Sequence, residues 1–370
     1  MLRACYLSHT SGITMSDSEG QPTQSVRCAL PSSPSAECVS LAHGEGARAT
    51  RQLIARHILP NFHSRQLESL PDAAQLSIQT DRIAITTDSF VVSPLFFPGG
   101  DIGSMAVYGT VNDLAVSGAA PKWLSVALII EEGFTFQQLD QILANMSAAA
   151  KRCDVEIVTG DTKVVPRGAM DGLFINTTGI GELRSDAPSG PSSLHPGDAI
   201  IVSGPIGSHG MAVLTAREKL ALSPPPQSDS GPLHEAVAAL LNSVGSGVRA
   251  IRDATRGGVS AVLHEWADAA QLTMQLSESL ISVTAEVRGA CELLGMDPLY
   301  IANEGTMVVA VDPTNEAEAL AALKSCPQTQ GAVRIGTVQP KTISPVTITR
   351  LLGVEQPVDE PTGAMLPRIC

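Results

Sequence analysis

The chain has 370 residues, enough for two domains that each bury a core, with 44% hydrophobic and 16% charged residues. Its 24 Lys and Arg against 37 Asp and Glu give a net charge of -13, which argues against non-specific attraction to nucleic acid or an anionic membrane. Aromatics make up only 3%, which disfavours base-stacking surfaces, so small molecules or proteins are the expected partners.

Residues 1–38 are rich in Ser, Pro, Gln and Thr without an apolar period and are predicted to form a disordered extension; Met15 begins a more ordinary start. No apolar run is long enough for a signal peptide or a membrane span, so the expected location is cytoplasmic. Seven cysteines, at 5, 28, 38, 153, 291, 326 and 370, form no C-x-x-C pair and are odd in number, a pattern that suits reduced thiols better than a disulfide framework or a zinc site.

An apolar stripe predicts a helix from Leu53 to Phe62, and "LSIQTDRIAITTDSFVV" reads as a hairpin ending at Asp88. A helix over Ser104 to Ser117 follows, stopped by Gly118 and Pro121, then a buried strand "WLSVALII". Thr135 offers an N-cap for a helix to about Cys153, before strands "VEIVTG" and "GLFINTTGIGEL". These make a first α+β domain at 39–186. The Pro, Ser and Gly cluster near 184–197 reads as a linker. Beyond it, 197–350 repeats the mixed grammar, with helices from about 208 and at 233–243. The last stretch, 351–370, has no period and reads as a flexible tail, with a reach on the order of 60 Å if extended. It ends on a thiol, Cys370.

Asp88 in "TTDSF", Asp113 in "TVNDLA", Asp161 in "VTGDTK" and Asp253 in "IRDATRGG" each follow a short apolar run, which predicts carboxylates at strand ends on a core's rim. Converging there, they suit Mg²⁺, which recruits few carboxylates and completes its shell with water and phosphate oxygens. The plainer alternative is that each caps a helix or closes a turn. Lys163 is a surface lysine, a phosphate contact or a proton acceptor. The glycine loops at 43–47, 98–104 and 255–258 each precede a helix, so they either wrap phosphate or simply turn the chain; none is a P-loop or a dinucleotide fingerprint. The histidines lack metal-site spacing, and His43 in a glycine-rich loop is a candidate phosphate neighbour.

Together "TTDSFVVSPLFFPGGDIGSMAVYGTVNDLAVSGAAPKWLS", "IVTGDTKVV", "DATRGGVSAVLHE", "ANEGTM" and the terminal "PRIC" resemble the HypE family of hydrogenase-maturation proteins, in the PurM-like (aminoimidazole-ribonucleotide synthetase-like) superfamily. The resemblance covers roughly residues 41–370, and the tethered terminal cysteine is its most specific part. It implies a two-domain α+β PurM-like fold with a flexible C-terminal tail, and ATP-dependent dehydration of a carbamoyl group on Cys370 to a thiocyanate, the source of cyanide ligands for nickel-iron hydrogenase. It further implies ATP and Mg²⁺ as cofactors, HypF as carbamoyl donor, the HypC–HypD complex as acceptor, and a homodimer. By the same likeness Asp88, Asp113, Asp161 and Asp253 ligate Mg²⁺ and phosphate, with Asn112 and Thr162 beside them. Lys163 and Glu304 orient or deprotonate the thiocarboxamide nitrogen, and Arg256 holds a phosphate or the tail. One departure is the first glycine loop, where the family's Gly-Ser-Gly-Gly reads "GEGA", with Glu45 and Ala47. The competing readings are a phosphoryl-transfer relative, thiamine monophosphate kinase or selenophosphate synthetase, and a binding module that presents "PRIC" to a partner.

Overall fold

The structure, a computed structural model, describes residues 38–45, 47–62, 64–68 and 73–361. The expected extension at 1–38 lies outside these apart from Cys38, and so does Cys370.

The helix expected from Leu53 changes its winding along its length: α1 (Arg48–Leu53) runs into a π turn at Ile54–Ile58 and a 3₁₀ turn at Leu59–Asn61. Pro60 has no N–H to continue an α ladder, and a short α2 (Arg65–Glu68) follows. Strand β1 (Ile83–Phe90) is single, and the predicted hairpin is absent. Upstream, Gln79 N–H is taken by the Glu182 carboxylate at 3.0 Å, and β1 spends its own ladder on a distant strand. The small pair β2 (Phe96–Phe97) and β3 (Gly100–Asp101) leads into α3 (Ile102–Val116). Next come β4 (Ala119–Glu131), α4 (Phe136–Arg152) capped by Thr135, β5 (Glu156–Val165) and β6 (Leu173–Leu183). The sheet order is β1-β6-β4-β5, with only β4 and β5 parallel. Helices α3 and α4 pack together beneath this sheet. Gly103 permits the approach, because a Cβ there would fall 2.5 Å from the Ile142 carbonyl oxygen.

The second lobe comprises β7 (Ala199–Val202), α5 (Ser208–Arg217), α6 (His234–Val244), β8 (Val248–Asp253), α7 (Gly258–Ala270), β9 (Thr273–Ser277) and α8 (Ala285–Leu294). It continues with β10 (Met307–Val311), α9 (Glu316–Lys324), β11 (Val333–Gln339), β12 (Val346–Thr349) and β13 (Glu355–Pro357). Its sheet runs β13-β12-β9-β11-β7-β10-β8 and is antiparallel except between β12 and β9. Strand β10 is inaccessible along its whole length, as its unbroken apolar sequence requires. Strand β13 falls inside the segment read as tail, pairs with β12, and is followed by a buried Val358.

The lobes share apolar packing. Ala115 and Val116, at the end of α3, join a cluster with Leu233, Val237, Leu240 and Val309 of the second lobe. Conversely Val213 of α5 belongs to the first lobe's core. The buried Asn112 adds polar stitches across the same seam, donating to Gly231 O at 3.0 Å and Glu304 O at 3.3 Å and accepting from Leu233 N–H at 2.8 Å.

Candidate functional site

A cavity of about 680 Å³ opens where β1, α3, the end of β8, the start of α7 and the "ANEG" loop meet. Alternation along β1 turns Thr86 and Asp88 to the same side, and both line it. Asp113 reaches it from α3 and accepts a hydrogen bond from the Thr86 hydroxyl at 2.8 Å. Its expected place at a strand end is therefore corrected: "TVNDLA" is helix, and the apolar run before Asp113 is helical core. Asp88 lies within β1 rather than at its end, whereas Asp253 does close β8.

Glu304 completes the acidic wall, buried beneath α3 opposite Gly109, where a Cβ would stand 3.7 Å from its carboxylate. Its loop is held on both sides. Asn303 donates to Ala254 O at 3.0 Å and Ile301 O at 3.1 Å and accepts from Gly207 N–H at 2.7 Å. The Asp229 carboxylate takes Glu304 N–H at 3.1 Å, Gly305 N–H at 3.0 Å and the Thr306 hydroxyl at 2.9 Å. Asp229 was not among the residues expected from sequence, since its partners lie some 75 residues away and the surrounding "SDSG" names none of them.

Burial and mutual repulsion set the electrostatics. Burial first, then the charges of Asp113 and Asp88, push Asp253 up to about 7 against the pull of Arg252. Burial raises Asp88 and Asp113, with Asp113 adding to the rise at Asp88 and Arg256 opposing it. Glu304 is held well above the usual carboxyl range by burial and then by Asp253, Asp229, Asp88 and Asp113. Arg256 stands at the rim, largely exposed, 4.0 Å from Asp88. Such a wall binds protons or recruits a cation, and an anionic phosphate enters it only with positive charge alongside. Among the described residues no three His, Cys, Asp or Glu side chains converge closely enough to enclose a metal ion within the chain.

Asp161, Thr162 and Lys163 are not part of this cavity. They lie on β5, the opposite edge of the sheet from β1, three strand spacings or about 14 Å away. Asp161 and Lys163 are exposed, and Asp161 and Thr162 border a separate groove of about 140 Å³ against Ile54, Leu59 and Phe62. Asn112, expected beside the nucleotide, spends its amide on backbone groups and serves the seam between lobes.

The glycine loops divide. At 98–104 the Asp101 carboxylate caps α3, accepting from Gly103 N–H at 2.7 Å and Ser104 N–H at 3.2 Å, so the donors that a phosphate would need are filled from within the motif. At 255–258 Gly257 and Gly258 take positive φ of 74° and 62°, and a Cβ on Gly258 would strike the carbonyl oxygens of Leu299 and Ile301. This turn sets Thr255 and Arg256 on the cavity wall. Gly46 lies outside the described residues; Gly44 packs on Val164, and His43 contacts Ser40 and the ring of Phe136. Cys38, Cys153, Cys291 and Cys326 are free thiols.

Residues 71–183 match the model of the AIR synthase related protein N-terminal domain, and 195–348 that of its C-terminal domain. Over 333 residues the chain is 44% identical to the carbamoyl dehydratase HypE of Bradyrhizobium diazoefficiens, covering 90% of this chain and 96% of that one. A crystal structure of the hydrogenase maturation protein HypE in complex with ATP aligns with a TM-score of 0.86 at 42% identity, over 90% of this chain and 99% of that chain. The chain is also similar to one in a HypE–HypF complex, with a TM-score of 0.74 and 41% identity over 85% of this chain and 100% of that one.

Proposed function

The chain belongs to the HypE family of carbamoyl dehydratases, and from that premise we propose that it converts a carbamoyl group carried on Cys370 into a thiocyanate at the expense of ATP. The observation that carries the reading is identity over nearly the full length of such a dehydratase, joined to an acid-walled cavity at the seam of the lobes.

The amide oxygen is a poor leaving group. Attack of that oxygen on the γ-phosphorus breaks the bond to the β-phosphate bridging oxygen and releases ADP. The carbon–oxygen bond then breaks with phosphate as leaving group, while the nitrogen gives up both protons and closes the S–C≡N triple bond. Positioning and charge neutralisation carry most of the phosphoryl step. Asp88, Asp113 and Asp253 offer the hard oxygen donors that Mg²⁺ favours, and the ion neutralises phosphate charge when bound. Glu304, once ionised, is a strong base because burial disfavours its charge, and it takes a proton from the nitrogen. Arg256 at the rim faces phosphate or the tail.

Asp161, Thr162 and Lys163 enter the same reaction from a second copy of the chain. Exposed Ile83 and Ile85 on β1 and Ile129 on β4 support a homodimer through this sheet. Similarity to the HypE–HypF complex supports HypF as carbamoyl donor. The cyanide then passes to iron on a HypC–HypD complex, and the setting is the cytoplasm.

Intact-protein mass spectrometry tests the reading with wild type and Cys370→Ala, each incubated with HypF, carbamoyl phosphate and MgATP. Wild type gains a carbamoyl group and then loses one water, and the variant gains nothing. Both proteins remaining unmodified beside an active HypF would exclude Cys370 as carrier.

A further inference from the structure

Helix α7 serves two regions at once. Ala261, Val262 and Glu265 line the acidic cavity, as do Thr255 and Arg256 just before the helix. Ser260 and His264, one turn apart and buried, hold the last described stretch of chain. The His264 ring stands between two carbonyls, with Nδ1 2.8 Å from Ser260 O and Nε2 3.1 Å from Val358 O, and in the tautomer protonated at Nε2 it donates to Val358 O. The Ser260 hydroxyl donates to Asp359 O at 3.3 Å, and the Tyr300 hydroxyl meets the Asp359 backbone beside it. Val358 N–H donates to Val346 O at 3.0 Å, and its side chain is buried in the second lobe's core. Pro361 then lies over Gly257, within 3.4 Å of where a Cβ would stand, next to the cavity mouth at Arg256.

We propose that His264 and Ser260 are positioning residues for the reaction: they pin the chain at Val358 and Asp359, so that the last fixed point before Cys370 stands at the cavity mouth, nine residues ahead of the thiol. The inference rests on the reading that Cys370 carries the substrate. Nine residues span about 30 Å when extended, against more than about 60 Å for an arm that begins after Arg350. Effective concentration at the tip falls roughly as the −3/2 power of arm length, so loss of the pin lowers it about twofold if four residues peel away and about threefold if β13 follows.

The test uses the full chain carbamoylated on Cys370, followed through a single turnover with MgATP. His264→Phe is expected to slow dehydration about twofold to threefold at unchanged ATP affinity and to speed amide exchange at Val358 and Asp359. His264→Gln, which restores a donor near the Nε2 position, is expected to recover both, and Ser260→Ala gives a milder loss. Ten Gly-Ser residues inserted after Pro361 should slow the reaction about threefold while Val358 stays protected, separating slack from damage. A chain ending at Pro361, given a carbamoylated "PRIC" peptide in trans, should turn over at one rate with or without the His264→Phe substitution. Unchanged exchange in His264→Phe, or a trans rate that falls with the cis rate, overturns the proposal. If carbamoylated wild type is never dehydrated, the reading of Cys370 fails instead, and exchange at Val358 still decides whether the pin exists.

Discussion

Strand β1, which lines the acidic cavity, and strand β5 are the two edges of one sheet and carry similar residue types, yet their surroundings are opposite. Around the cavity, Asp88, Asp113, Asp253 and Glu304 are screened by walls from both lobes; Asp113 makes Asp88 harder to ionise, both act on Asp253, and all three act on Glu304. At β5, Asp161 and Lys163 stand in solvent beside a small apolar groove. A motif tells which side chains are available, whereas burial and convergence decide what they do. The first region is under electrostatic strain that positive charge would relieve; the second takes no part in the cavity of its own chain.

The largest effect expected falls on the buried wall. Glu304→Gln should lose about 10²–10⁴-fold in dehydration while Cys370 still accepts its carbamoyl group, measured as mass gain without subsequent water loss. Asp161→Asn is expected to lose activity as well, and mixing decides where it acts. If β5 serves the other copy, equal amounts of Glu304→Gln and Asp161→Asn chains, exchanged into mixed dimers, regain about one quarter of wild-type activity, since one site of each mixed pair is intact. No recovery in verified mixed dimers would place Asp161 in its own chain's reaction and break the comparison.

Smaller effects sharpen it. Asn112→Ala strips the seam of its stitches and should cost roughly 2 kcal/mol, seen as a Tm lower by about 3 °C in a chain of this size, with the cavity's carboxyls in place. Asp253 has a folded pKa of about 7, above its ordinary 3.8, so the folded protein holds the extra proton. Its contribution is therefore fully present below pH 3.8 and is lost as pH rises toward 7. Asp253→Asn removes this dependence, and its Tm should exceed that of wild type by about 6 °C at pH 8 and match it near pH 4.

What could be read beforehand was what the chain writes locally. "DATRGG" announced a strand end and a turn because the motif contains its own geometry, down to two glycines at positive φ, whereas the burial of Asp253 and Glu304 was not legible in it or in "ANEG". The helix after Thr135 followed from its cap and period. Long-range choices were not legible. Strand β1 pairs with β6 more than 80 residues on, so local alternation suggested a hairpin that does not form. The 98–104 loop looked free for phosphate, but Asp101 within it already fills the amides. Asp229 gives no sign in sequence of the distant loop it secures, and nothing in "VTGDTK" tells which edge of a sheet it occupies.

The end of helix α3 also decides where the chain can be cut. The two family models divide it between 183 and 195, an inviting place to separate the halves. Yet Ala115 and Val116 lie on one side of that division and are buried among residues from the other, as Val213 is in reverse. Either half made alone would carry an apolar scar and go to inclusion bodies, whereas the two halves made together should find each other. The boundary marks where two sequence families meet, and the shared seam makes the pair the unit expected to fold.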